Sequence, residues 1–77
     1  MYSYTVSKTA DSLEFNNVCK KIESDLNIIK KDKLLVDVDG SEIQKYTTQD
    51  GEIKVCNDYE IDAVYIDSDI IIEDILG

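Results

Sequence analysis

Polar and apolar residues alternate at the start of this chain: Tyr2, Tyr4 and Val6 are interleaved with Ser3, Thr5 and Ser7. A period of two predicts a short half-buried strand. The period then changes. Phe15, Val18, Cys19, Ile22, Leu26 and Ile29 recur at three- and four-residue steps, which places them on one stripe of an amphipathic helix. Asp11, three residues before Glu14, forms a capping-box pattern at its start, with Thr9 as the alternative cap. Leu13 falls on the opposite face and is expected to turn outward or meet another element. Lys30, Lys31 and Lys33 follow at the far end, where cations complement the helix dipole.

Beyond the helix the period returns to two. Leu34, Val36 and Val38 share one face of a predicted strand over 33–39. Asp39-Gly40 and Asp50-Gly51 are hairpin turn signals, because the central residues of such turns take positive φ. Between and after them, 42–48 and 52–56 read as strand arms, with Ile53 and Val55 inward and Cys56 turned the other way. Asn57-Asp58 reads as a further break. The β-branched runs 61–66 and 70–75 are assigned to strands, in preference to a final short helix from Asp69. The expectation is therefore an α+β fold in β-α-β-β-β-β order: one amphipathic helix packed on a 4–6-stranded antiparallel sheet. Tight turns force antiparallel neighbours. Seventy-seven residues form a single small domain, 1–77, without linkers or repeats.

Charge adds what the pattern lacks. The net charge is -9. Asp11, Glu14, Glu23, Asp25 and Asp32 are balanced by Lys8, Lys20, Lys21, Lys30, Lys31 and Lys33 up to residue 33. After Lys54 no base remains, while Asp58, Glu60, Asp62, Asp67, Asp69, Glu73 and Asp74 follow. Such a field repels nucleic acid and anionic membranes and attracts a basic protein. Two like charges about 8 Å apart in water repel by roughly 0.5 kcal/mol. Clustered acids thus cost a marginal small domain something, and a binding surface explains that cost better than solubility does.

Candidate chemistry is sparse. The chain has no His, Arg, Trp or Pro, so the commonest general base and the bidentate anion clamp are missing. Cys19 and Cys56 are far apart in sequence, and free buried thiols are expected. Asp37/Asp39 and Asp67/Asp69 form carboxylate pairs, but neither segment supplies the six or more oxygens of a hard-cation site.

Two local resemblances bear on chemistry. Leu34-Leu35-Val36-Asp37-Val38-Asp39-Gly40-Ser41 resembles the first motif of haloacid-dehalogenase-type phosphotransferases. That resemblance implies a phosphoryl-accepting Asp37 and an acid/base Asp39. The family also needs a doubly wound sheet, a distant lysine and a later acidic pair holding Mg²⁺. The hairpin signals after Gly40 and the length of the chain run against this. Asp11-Ser12-Leu13 resembles the phosphopantetheine attachment triplet of acyl carrier proteins, which are four-helix bundles, whereas this chain has β character. No catalytic, cofactor-binding or metal residues are therefore assigned, and the chain is not expected to be an enzyme.

What remains is recognition. Glu60 and Asp62, and Asp67 and Asp69 if the strand runs through them, have the i, i+2 spacing that puts carboxylates about 6.6–6.8 Å apart on one strand face. Such a ladder imitates phosphates. Tyr59, between Asp58 and Glu60, has the character of an interface anchor. The expected function is a small acidic inhibitor that occupies the basic surface of a nucleic-acid-handling protein, as a phage-type anti-defence (anti-CRISPR-like) or DNA-mimic protein does. Its predicted partner-binding residues are Asp58, Tyr59, Glu60, Asp62, Asp67, Asp69, Glu73 and Asp74. The alternatives are an immunity protein or antitoxin that neutralises a basic nuclease toxin, or an interaction module whose acidity serves solubility. The partner is expected to be a basic, nucleic-acid-binding protein, with no direct nucleic acid and no membrane; the sequence leaves the oligomeric state open. Met1-Tyr2-Ser3-Tyr4 lacks a basic n-region and an apolar h-region, so a reducing cytoplasm is expected, the host's if the gene is phage-borne.

Overall fold

A computed structural model describes residues 1–76. Asp11 opens the helix α1 (Ser12–Asp25): its side chain accepts hydrogen bonds from the backbone N–H groups of Leu13 and Glu14. This confirms Asp11 as the cap and satisfies two donors the helix leaves free. Phe15, Val18, Cys19 and Ile22 are buried, and Leu13 is exposed. The helix ends sooner than its apolar stripe suggests. Leu26 is extended, and its N–H returns to the Ile22 carbonyl at 3.0 Å. Ile29 belongs instead to a strand and is 65% exposed. A residue seven places after Ile22 continues a helical stripe by arithmetic, but β-branched Ile28-Ile29 is better accommodated in strand pairing. Consequently Lys30 and Lys31 do not complement the helix dipole.

The strands are β1 (Tyr2–Ser7), β2 (Ile28–Lys31), β3 (Leu35–Val36), β4 (Glu42–Thr48), β5 (Gly51–Asp58) and β6 (Ala63–Ser68). They form one antiparallel sheet in the order β1-β6-β5-β4-β2, with β3 also on β4. The fold is α+β, as the sequence predicts, and α1 lies across one face of the sheet. Tyr46, Ile53, Val55, Val64 and Ile66 meet the helix residues there, and each is fully buried. Burying one such side chain contributes roughly 1.5–3 kcal/mol.

Four expectations need correction. The strand predicted over 33–39 contracts to two paired residues, and Leu34, Val36 and Val38 are exposed instead of buried. It lies at the sheet edge, beyond the reach of α1. Asn57-Asp58 is the end of β5 and not a break, and Asn57 is fully buried. Residues 61 and 62 belong to a turn before β6. The run 70–75 is not a strand. After Ser68 the chain bends, Ile72 enters the core at 1% exposure, and Glu73–Leu76 forms the short helix α2. Glu73 and Asp74 occupy the first turn of α2, where the dipole favours them.

The turns are also not centred on the two Asp-Gly pairs. Asp37 accepts a hydrogen bond from Gly40 N–H and donates its own N–H to Ser41, and Gly40 alone takes positive φ (+90°). That is a type I turn followed by a left-handed glycine. In the second hairpin Thr48 pairs with Gly51, which leaves Gln49-Asp50 at the tip.

Candidate functional site: an acidic tip made from two hairpins

The loops β3–β4 and β5–β6 come together at one end of the sheet. Tyr59 joins them. Its N–H donates to Ser41 Oγ at 3.0 Å, and its ring lies 3.6 Å from where a Cβ on Gly40 would stand. Its hydroxyl lies 3.4 Å from Ser12 Oγ, which donates to Glu42 Oε1 at 3.1 Å. Tyr59 remains 44% exposed. An aromatic pinned at three points and still open to solvent has already lost part of the entropy that binding costs.

Asp37, Asp39, Glu42, Asp58 and Glu60 line one hollow of about 90 Å³ between the two loops, and the aromatic in its wall is Tyr65, not Tyr59. No lysine is among its lining residues. Val38 and Ile61 stand exposed on the two loops. The two loops therefore carry exposed apolar side chains as well as acids.

The tip carboxylates also shape their own loops. Asp37 accepts from Val38 N–H, Asp39 from Ser41 N–H, and Asp58 from the N–H groups of Glu60 and Ile61. The bonds from Ser41 hold the exposed Asp39 carboxyl below its ordinary pKa. Asp62, the one non-glycine with positive φ (56°) among the described residues, accepts from Ala10 N–H at 2.8 Å. Glu60 is exposed and has no such duty. Beneath the tip, buried Asn57 donates to Glu42 and accepts from Asp11 N–H at 3.0 Å, tying the start of α1 to the sheet.

Of the predicted partner-binding residues, Asp58, Tyr59, Glu60 and Asp62 are brought together at this tip. Asp67 and Asp69 are not. Asp67 lies on the helix-free face, accepts from Ser3 Oγ and pairs across the strands with Lys54. Asp69 lies beside the β4–β5 hairpin, where it accepts from Glu52 N–H. Glu73 and Asp74 are exposed on α2. The carboxylate ladder does not form, because Glu60 and Asp62 sit in a turn and β6 stops at Ser68. Asp37 and Asp39 were absent from the predicted surface. Their sequence signals, a carboxylate pair running into an Asp-Gly turn, say nothing about the loop lying beside them.

The lysines gather elsewhere. Lys20, Lys31 and Lys33 line an open groove of about 730 Å³ between α1 and the β2–β3 edge. At its floor Tyr46 donates to Glu23 at 2.5 Å, and Lys31 reaches the same carboxylate at 3.1 Å. Those bonds hold Glu23 below its ordinary pKa, and burial with the same hydrogen bond pushes the Tyr46 hydroxyl far up. Both thiols are free and buried, and burial raises the pKa of each. No helix among the described residues is long and apolar enough to cross a membrane.

Fold and site together define a class: a two-layer α+β domain with an acidic, aromatic-centred tip. No family model, no curated protein and no solved structure matches the chain.

Proposed function

We propose that this protein is a small acidic inhibitor that inserts its double-hairpin tip into the basic surface of a nucleic-acid-handling protein. The observation that carries the reading is the convergence of two acidic loops at one end of the sheet, tied together by the exposed Tyr59. Carboxylates at this tip steer association with a basic groove, and Tyr59, Val38 and Ile61 supply apolar contact once docked. The reading implies a reducing cytoplasm, the host's if the gene is phage-borne, and the free thiols fit it.

The test begins with affinity capture from the native host or its phage. Binding of the captured protein is then titrated with salt and competed with nucleic acid. The expected partner is basic, binds nucleic acid, and loses affinity as salt rises. Mutually exclusive binding of the protein and nucleic acid is the inhibitor's signature. A toxin nuclease as the captured protein would make the chain its immunity protein. Recovery of no basic partner, or salt-indifferent binding, would overturn the proposal.

A further inference from the structure

The groove between α1 and the β2–β3 edge has no part in the tip. β2 ends at Lys31 and β3 begins only at Leu35, and the segment between them forms one wall, facing the helix. At about 730 Å³ the groove falls in the range of small-molecule pockets, about 300–1,000 Å³. Gln44 lines its floor and is 4% exposed. Its Nε2 donates to the Asp32 carbonyl at 2.6 Å and to the Lys45 carbonyl at 3.3 Å. Both amide hydrogens are thereby used, which fixes the other end of the amide as the acceptor Oε1. Oε1 accepts no hydrogen bond among the described residues, yet no side-chain polar atom shut off from solvent lacks a partner. The Gln44 oxygen is therefore reached through the groove, as an acceptor without a donor. The charges are divided unevenly. Glu23 is already bonded to Tyr46 and Lys31, and Asp32 pairs with Lys30 at 3.7 Å. Lys20 and Lys33 form no ion pair among the described residues, in a chain with 17 acids and 8 bases. Leu34, 40% exposed, supplies an apolar wall.

We infer that this groove binds a small amphiphilic carboxylate that also carries an N–H or O–H donor. The carboxylate pairs with Lys20 and Lys33, the apolar body lies against Leu34 and the lysine stems, and the donor reaches Gln44 Oε1. Each feature disfavours another class of occupant. A cation meets two uncommitted ammonium groups. A neutral apolar molecule leaves both lysines unanswered, and a bare inorganic anion makes no use of the apolar wall. An occupant without a donor strips solvent from a buried acceptor and gives nothing back, which costs free energy. Acids elsewhere on the chain oppose an anion only weakly, because screening reaches about 10 Å at 0.1 M salt. The inference is independent of what the tip binds.

N-octanoylglycine carries all three groups and is the probe. Titrated into the full chain below its critical micelle concentration, it should cause saturable one-site NMR shifts at Lys20, Lys33 and the Gln44 side-chain amide. Two relatives dissect the contact. N-octanoylsarcosine has a methyl group in place of the N–H, and N-octanoylglycinamide has no charge. Each should bind at least fivefold more weakly. Combining Lys20→Gln with Lys33→Gln should weaken N-octanoylglycine at least tenfold and leave N-octanoylglycinamide unchanged, with an unchanged circular dichroism spectrum. The three-probe comparison uses the unmodified protein and decides the matter even if that variant misfolds. No saturable shift below the micelle concentration would overturn the inference. So would equal affinity for the three probes, or shifts confined to residues outside the groove.

Discussion

Asp69 and Glu52 bind each other twice: Asp69 N–H donates to the Glu52 carbonyl at 2.9 Å, and Glu52 N–H donates to Asp69 Oδ2 at 3.0 Å. The pair closes the β4–β5 hairpin against the chain leaving β6. It also explains Gly51, whose φ is +150° and where a Cβ would come within 2.6 Å of Asp69 Cβ. Gly51→Ala therefore strains the backbone and forces the hairpin off Asp69. The expected loss is about 1–3 kcal/mol in urea unfolding. A variant as stable as the parent would show that the contact yields freely.

The chain after β6 distinguishes two neighbouring isoleucines. Ile72 is buried, and Tyr4 Oη accepts its N–H at 3.2 Å; Ile71 is 65% exposed. Ile72→Ala should cost about 2–5 kcal/mol. Ile71→Ala should change stability by about 0.5 kcal/mol or less. Equal effects would contradict the placement of this segment.

The Glu23 carboxylate gives a pH dependence with a definite sign. Its pKa is lowered, first by the Tyr46 hydrogen bond. A depressed carboxylate contributes stability that is present above its unfolded value and lost as pH falls through the folded one. Stability should therefore decline below pH 4.5, the group's ordinary value. Tyr46→Phe should make that decline shallower and lower stability at neutral pH by about 1–2 kcal/mol. Parallel stability-against-pH curves for the two proteins would exclude the coupling.

Partner binding should separate the tip from the other acids. Glu60→Lys reverses a charge that supports no loop bond, and it should weaken binding at least tenfold, mainly through slower association at low salt. Tyr59→Ala should raise the dissociation rate. Glu73→Lys and Asp74→Lys, on α2, should have much smaller effects. If the α2 reversals proved the damaging ones, the interface would lie there and not at the tip.

Both cysteines should react slowly with a thiol reagent in the folded protein and fast in denaturant. They are buried, with raised pKa values, so little thiolate is exposed. Rapid labelling without denaturant would show local opening around them.

The sequence by itself determined the elements whose signals are local. Asp11 caps α1 because a short acceptor side chain lies next to the helix's free N–H groups, and Phe15, Val18, Cys19 and Ile22 face inward because their spacing matches the helical turn. The alternation of Ile53 with Val55 gave β5 its buried face. Tertiary structure decided what depends on neighbours far along the chain. Ile29 follows the helical period but lies in β2, paired alongside β4, and Leu34, Val36 and Val38 alternate like a core strand at an edge that α1 does not cover. Asn57 reads as a turn residue until its partners Glu42 and Asp11 are in place. The acidity was legible from composition, but its distribution was not. Asp37 and Asp39 join Asp58 and Glu60 because Tyr59 folds over Gly40, whereas Asp67 and Asp69 are committed to Ser3 and Glu52. Charge adds along a sequence regardless of order, but a surface forms only where the chain's turns bring separate loops side by side.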